Sequence, residues 1–240
     1  MAAVGHFAGN HPLRYQRQDD PIQSTIAELA GTLAGGAGIE DVLEKLTLAS
    51  LALLPSADYA KISTIDNGVL FSLSATSQLT TSLDDAQQAA RQGPCLDAIS
   101  ARKTIRCDDL ETDARWPRFA RHATAARVHS VLASPIDIAG DTGATLSLFG
   151  VRVGAFGAES ETMGAMLANH AAIALVKDKH ERQFRAALVT RDVIGQAKGI
   201  VIERFGVDAA RAFAMLTAIS QDTNTPVRDI AAMVVDSATQ

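Results

Sequence analysis

At 240 residues, with 47% hydrophobic and 20% charged side chains, the chain has enough apolar surface to offset ordering entropy, which excludes a wholly disordered protein. Roughly 150 residues per domain suggests one large domain or two modest ones. The net charge of −5 excludes a global basic field for nucleic acid or anionic membrane, so any nucleic-acid site must be a local patch.

No run approaches the ~18 apolar residues that span a bilayer. The opening Met1-Ala2-Ala3-Val4-Gly5-His6 lacks the charged-then-apolar order of a secretory leader. Two cysteines, Cys95 and Cys107, give neither a disulfide framework nor zinc-finger spacing. The expectation is a cytoplasmic protein with no membrane contact and no metal site.

Residues 1–20 carry His6, His11, Arg14, Arg17, Asp19 and Asp20 with little apolar periodicity and read as a flexible tail. After Pro21, Ile22, Ile26, Leu29 and Leu33 form one helical stripe, broken by Gly35-Gly36-Ala37-Gly38. A second helix gathers Ile39, Val42, Leu43, Leu46, Ala49, Ala52 and Leu53 and stops at Pro55. A strand period follows, with Ala60, Ile62 and Thr64 alternating with Lys61 and Ser63. Asp66-Asn67-Gly68 then gives a hairpin turn before Val69-Leu70-Phe71-Ser72-Leu73. Ser82 with Asp84 and Asp85 reads as the opening of a short helix that ends near Gly93-Pro94. Another short helix follows Cys95, then the strand-like Thr104-Ile105-Arg106-Cys107, then a helix starting at Trp116-Pro117-Arg118-Phe119. Segments 131–138 and 144–153 read as strands joined by the turn 140–143, and from Glu161 the chain turns helical. This order is α+β with an antiparallel sheet.

From about residue 183 no strand signal remains. Helices are expected near 183–205, 208–221 and 226–237, the second capped by Asp208 and the third by Thr225-Pro226. Val227, Ile230, Ala231, Val234 and Val235 give the third an apolar stripe. Three short helices bury little surface alone, so this segment is expected to need a neighbour.

Common catalytic signatures are missing: no nucleophile elbow, no Walker loop, no His-Glu-x-x-His and no dinucleotide fingerprint. No catalytic residue is therefore assigned. Cys95, in Gly93-Pro94-Cys95-Leu96-Asp97, reads either as a reactive thiol at a helix N-terminus or as a small packing residue. No base lies nearby in sequence, which favours packing. Trp116 reads either as a ligand-stacking residue or as a helix-start anchor, the anchor being favoured.

The C-terminal segment is more informative. At 100° per residue, Val193, Ala197, Ile200 and Val201 share one side of a helix, and Arg191 and Lys198 lie within about 20° of each other on another. Gly195 and Gly199 sit beside that basic edge. Each costs about 1 kcal/mol relative to alanine, which points to close approach of another backbone, protein or nucleic acid. A solvated charged face with a glycine-lined helix contact is the plainer reading.

Arg191, Val193-Ile194, Gln196-Ala197-Lys198-Gly199, Ala212-Phe213, Leu216, Ser220, Asn224 and Asp229-Ile230-Ala231 together resemble an ANTAR domain, a three-helix RNA-binding module of transcription antitermination regulators. Upstream, Gly93-Pro94-Cys95-Leu96-Asp97, Asp108-Asp109-Leu110, Arg115-Trp116-Pro117-Arg118-Phe119 and Ser130-Val131-Leu132-Ala133-Ser134-Pro135 resemble a GAF sensor domain, of the kind paired with ANTAR in actinobacterial proteins. The resemblance implies a tail over 1–20, a GAF-like antiparallel sheet with flanking helices over 21–180, and a three-helix ANTAR module over 181–240. It implies a homodimer that holds hairpin-loop RNA and stabilises an antiterminator against an overlapping terminator. Lys198 and Arg191 would contact phosphate beside Gly199; Gln196, Asn224 and Arg228 would contact bases or sugars, with Arg204 in support.

The sensor domain would take a small-molecule ligand between its sheet and segment 93–116, against Cys95, Asp97 and Trp116, and its cofactor is not specified by the sequence. The dimer expectation rests on the Ile22 stripe and on Met166, His170 and Ile173 of the long helix, with Ala165, Ala172 and Leu175 crowding its surface. Residues 183–240 carry six basic and six acidic side chains, a weak global basis for RNA binding. Two alternatives stay open: a DNA-binding or protein-docking module, and a redox enzyme of the GAF-type methionine-sulfoxide reductase kind using Cys95 and Cys107.

Overall fold

The computed structural model describes residues 24, 27, 28, 31, 32, 35–138 and 143–238. The tail 1–20, the stripe Ile22, Ile26, Leu29, Leu33 and turn residues 140–142 lie outside the described residues. The chain divides into two compact units between Ala174 and Leu175.

In the first unit, α1 (Ile39–Leu53) precedes a hairpin of β1 (Tyr59–Asp66) and β2 (Val69–Ala75). Then come α2 (Gln78–Ala90), α3 (Pro94–Ala101), β3 (Ile105–Cys107), α4 (Pro117–Ala125), β4 (Ser130–Ile136) and β5 (Ala144–Gly150). The strands form one sheet in the order β2-β1-β5-β4-β3, antiparallel throughout. Helix α5 (Ala158–Phe205) begins in this unit and runs on into the second, which is completed by α6 (Ala209–Thr223) and α7 (Val227–Ala238).

The β1–β2 turn is the one the sequence predicts. Asp66 pairs with Val69, leaving Asn67 (φ 49°) and Gly68 (φ 79°) as the two turn residues. Both positions need positive φ, which asparagine and glycine tolerate best. The expected opening of α2 at Ser82 is corrected. Ser77 is the cap, its hydroxyl accepting from the Leu79 N–H at 3.3 Å, while Ser82 Oγ donates to the Leu79 carbonyl at 2.7 Å inside the helix. The extended backbone of Ser77 ends the strand direction and frees its oxygen for the first turn. Helix α4 starts as expected, with Pro117 in its first turn and Trp116 as an anchor only 1% exposed.

The alternation in β1 does not mark a wet face. Lys61 and Ser63 are fully buried, because helices cover both faces of this interior strand. Lys61 Nζ forms an ion pair with Asp84 Oδ1 from α2, donates to the Thr80 carbonyl at 2.8 Å and lies 5.2 Å from the Phe149 ring centroid. Ser63 Oγ and Ser72 Oγ donate to the other carboxylate oxygen at 2.7 and 3.1 Å.

A bulge makes the last contact reachable. Ile62 pairs with Ser74 but Ser63 pairs with Ser72, so Leu73 is the extra residue. Ser72 thereby turns towards Asp84, while Ser74 meets Thr47 of α1 at 3.1 Å on the opposite face. Cys95, Trp116, Phe119, Val131 and Phe149 form the apolar cluster beside this polar group.

Removing one member of a buried pair strands the other, at a cost of about 3–5 kcal/mol, whereas an apolar pair of similar volume is close to neutral. Lys61→Met should therefore destabilise the fold by about that amount in urea titration, and adding Asp84→Leu should recover much of the loss. Equal stability of Lys61→Met and the parent would show that the pair carries no such constraint.

Candidate nucleic-acid interface and sensor core

The second unit is built on small residues. Ala197 and Val201 of α5, Ala212 and Leu216 of α6, and Ile230 and Ala231 of α7 form its buried core. The three alanines are fully buried and let the helix backbones approach closely. Gly206, at φ 63°, ends α5, and the Asp208 carboxylate caps α6 by accepting from the Arg211 N–H at 2.7 Å. Asn224 closes α6 in the left-handed region at φ 49°, a conformation asparagine tolerates, and Ser220 Oγ donates to the Thr225 carbonyl at 2.6 Å across the turn.

An open groove of about 660 Å³ lies along α5 and α6, lined by Ala187, Thr190, Arg191, Ile194, Gly195, Lys198 and Phe213. Arg191 and Lys198 thus share one surface, as the helical period predicts. Neither has an ion-pair partner among the described residues, unlike Arg182 (with Asp178), Arg185 (with Glu181 at 3.2 Å) and Arg228 (with Asp229 at 3.2 Å). A Cβ added at Gly195 or Gly199 would meet nothing within 4 Å, so no helix contact among the described residues requires either glycine.

The other expected RNA contacts are dispersed. Gln196 is exposed but stands about 160° round the helix from Lys198, and Arg204 about 120° from it. Asn224 and Arg228 sit at and just after the α6–α7 turn. Phe213, 45% exposed in the groove, is one of the residues that carry the ANTAR resemblance but is not among the expected RNA contacts; its place depends on the crossing of α5 and α6.

In the first unit, the structure brings Asp97 and Trp116 together: indole Nε1 donates to Asp97 Oδ2 at 2.8 Å. The Arg115 guanidinium lies 4.1 Å over the Trp116 ring and is held by Asp113, whose carboxyl Arg115 lowers to about 2. Cys95 is fully buried; its N–H donates to Gln87 Oε1 at 2.8 Å, and its sulfur is 3.1 Å from Ser147 Oγ. A Cβ on Gly93 would lie 2.3 Å from the Gln87 side chain, so only glycine admits this approach. Burial raises the Cys95 thiol above its ordinary value and, with the Asp113 hydrogen bond next in weight, raises Cys107 to about 12. Both are thiols, not thiolates, at neutral pH.

Two openings on this unit lie away from these residues. A cleft of about 90 Å³ is bounded by Ile99, Arg102, Asp137 and Gly143, and a groove of about 660 Å³ by Leu53–Ser56 and Ala158–Met166. Asp109, Glu111 and His129 each offer a ligand atom within 4.8 Å of the others. Asp109 also accepts from the Glu111 N–H and the Thr112 hydroxyl, each at 3.0 Å, within a turn. Among the described residues, no helix is long and apolar enough to cross a membrane.

A GAF domain model matches residues 36–176, and an ANTAR domain model matches residues 182–235. The chain belongs to the GAF domain family and carries an ANTAR domain. No curated protein sequence matches it. The GAF fold is shared with the GAF domain of a phosphoenolpyruvate-protein phosphotransferase from Coxiella burnetii (15% identity, 68% of this chain and 97% of that one, TM-score 0.53). It is shared with free methionine-R-sulfoxide reductase from Neisseria meningitidis in complex with its substrate (13%, 75% and 99%, TM-score 0.53). A phycoerythrobilin-bound GAF domain from a cyanobacterial phytochrome is similar to the same degree (16%, 67% and 97%, TM-score 0.53). A GAF domain joined to an ANTAR domain is the composition of a regulator rather than an enzyme.

The state of the two thiols is directly measurable. Neither Cys95 nor Cys107 in the folded protein should react with a maleimide at pH 7 over the time in which both react in denaturant. Rapid native labelling of Cys95 would restore the redox-enzyme alternative.

Proposed function

We propose that this chain is a cytoplasmic transcription antitermination regulator in which a GAF sensor domain (21–180) controls an ANTAR domain (181–240) that binds hairpin-loop RNA. The observation that carries this reading is the pair of unpartnered cations, Arg191 and Lys198, lining one open groove in the segment matched by the ANTAR model. The segment's charges balance overall, yet screening limits each charge to roughly 8–10 Å, so local pairing governs what a phosphate meets. Arg191 and Lys198 take phosphate beside Gly199. Gln196, Arg204, Asn224 and Arg228 lie on other faces and serve RNA contacts outside the groove.

Removing Lys198 should weaken binding to all hairpins alike and lower the slope of log affinity against log salt by about one unit. Asn224→Gly keeps the left-handed backbone and removes the side chain, so it should relax loop preference without unfolding the helix end. Anisotropy titrations over a salt series, with native and scrambled loops, measure both. A Lys198→Ala protein that binds like the parent would sink the reading.

The protein acts as a homodimer. Phe184 and Leu188, one turn apart on α5, are 66% and 44% exposed, an apolar surface that a second copy would cover. Pairing two RNA sites also raises avidity. Light scattering at micromolar concentration should give twice the chain mass, and Phe184→Glu should shift it towards the monomer. A parent protein that scatters as a monomer would remove the dimer.

The sensor role draws on the bilin-bound phytochrome domain and the substrate-bound reductase, which hold small molecules on the same fold. In this reading a ligand would act against Cys95, Asp97 and Trp116, of which Cys95 and Trp116 are buried and Asp97 is half-buried. Buried, protonated thiols offer no nucleophile, so sensing rather than turnover is the role assigned to this domain.

A further inference from the structure

Two glycines one turn apart in the interior of α5 cost the helix about 1 kcal/mol each relative to alanine. Among the described residues nothing compensates: a Cβ at Gly195 or Gly199 would meet no atom within 4 Å. The open space is therefore useful to something outside the chain. Gly195 lies in the groove wall between the two unpartnered cations Arg191 and Lys198, and the facing wall is the half-exposed ring of Phe213. That ring stands outside the buried core of the unit, so packing does not account for it. A flat apolar ring, an open backbone opposite it and cations at the edge match the shape and charge of a nucleotide: a planar base joined to a phosphate.

Resting on the RNA reading above, we infer that this groove takes one unpaired base of the RNA loop, stacked on Phe213, with its flanking phosphates on Arg191 and Lys198. Gly195 leaves the slot open, since any side chain there would project into the space the base enters. Stacking uses the π-face that every base presents, so this contact fixes the position of a flipped-out base without choosing its identity. Choice of sequence must come from groups elsewhere. An apolar peptide side chain is the competing occupant, and two unpartnered cations at the rim disfavour it.

The test uses the full-length protein and a hairpin selected from a randomised-loop pool, with abasic nucleotides placed at each loop position in turn. Phe213→Ala should lose about 5- to 100-fold in affinity, Phe213→Tyr should bind like the parent, and Gly195→Leu should lose as much as Phe213→Ala. The two Phe213 variants should keep the parent's thermal melt, because that position lies outside the core, and Gly195→Leu should melt no lower than the parent, since leucine is the better helix former. One abasic position should weaken the parent by the same factor and leave Phe213→Ala unaffected, marking the base that stacks. A fluorescent adenine analogue at that position should change emission on binding the parent and not on binding Phe213→Ala.

Failures separate cleanly. If Lys198→Ala weakens binding but Phe213→Ala and Gly195→Leu do not, the RNA reading stands and the base slot is wrong. Abasic penalties equal in parent and Phe213→Ala overturn it too. A parent protein that binds no hairpin overturns both.

Discussion

A lysine ammonium removed from water persists in a fold only where its charge and its N–H donors are met, and Lys61 of the interior strand β1 sets that condition where α2 packs on β1 and β2. Asp84 must come from α2, with Thr80 one turn earlier supplying a carbonyl, which fixes the rotation of that helix over the strands. The carboxylate in turn needs donors, and Ser63 and Ser72 supply them from paired positions on β1 and β2. Ser72 reaches only because the bulge at Leu73 reverses the faces of β2. One buried charge thus accounts for a helix orientation, a strand irregularity and two serines.

The same constraint extends to α3. Gln87, one turn after Asp84 on α2, accepts the Cys95 N–H at the start of α3, and the approach is open only because Gly93 has no side chain. Cys95 is held by this contact and by Ser147, while Asp97 and Trp116 bond to each other nearer the surface. A ligand entering between sheet and helices would meet groups already partnered. The part-buried Asp97–Trp116 bond is the most accessible of these contacts.

In the second unit, charge count and charge availability part company. Six basic and six acidic residues from 183 onward suggest electrostatic indifference. Arg185 and Arg228 lean on carboxylates, whereas Arg191 and Lys198 do not, and they share one groove with the exposed ring of Phe213. Screening limits each charge to roughly 8–10 Å, so the field at that groove is set by the charges near it rather than by the segment's sum.

The sequence by itself determined what depends on near neighbours in the chain. Asn67-Gly68 dictated the hairpin through its positive φ angles, Trp116-Pro117 the start of α4, Asp208 the cap of α6, and the seven-residue spacing of Arg191 and Lys198 their common edge. The glycines at 195 and 199 were legible as an anomaly, though not that they face open space. Only the tertiary structure decided the rest. Lys61 and Ser63 read as the polar side of an alternating strand, yet helices distant in sequence cover that side, and burial turned the alternation into an ion-pair network. Ser77 displaced Ser82 as the cap because the end of β2 sets where α2 can begin. The crossing of α6 brings Phe213 to the groove beside Arg191 and Lys198, which no spacing within either helix implies. Turn and period are written between adjacent residues; which charges find partners is settled by elements that meet only on folding.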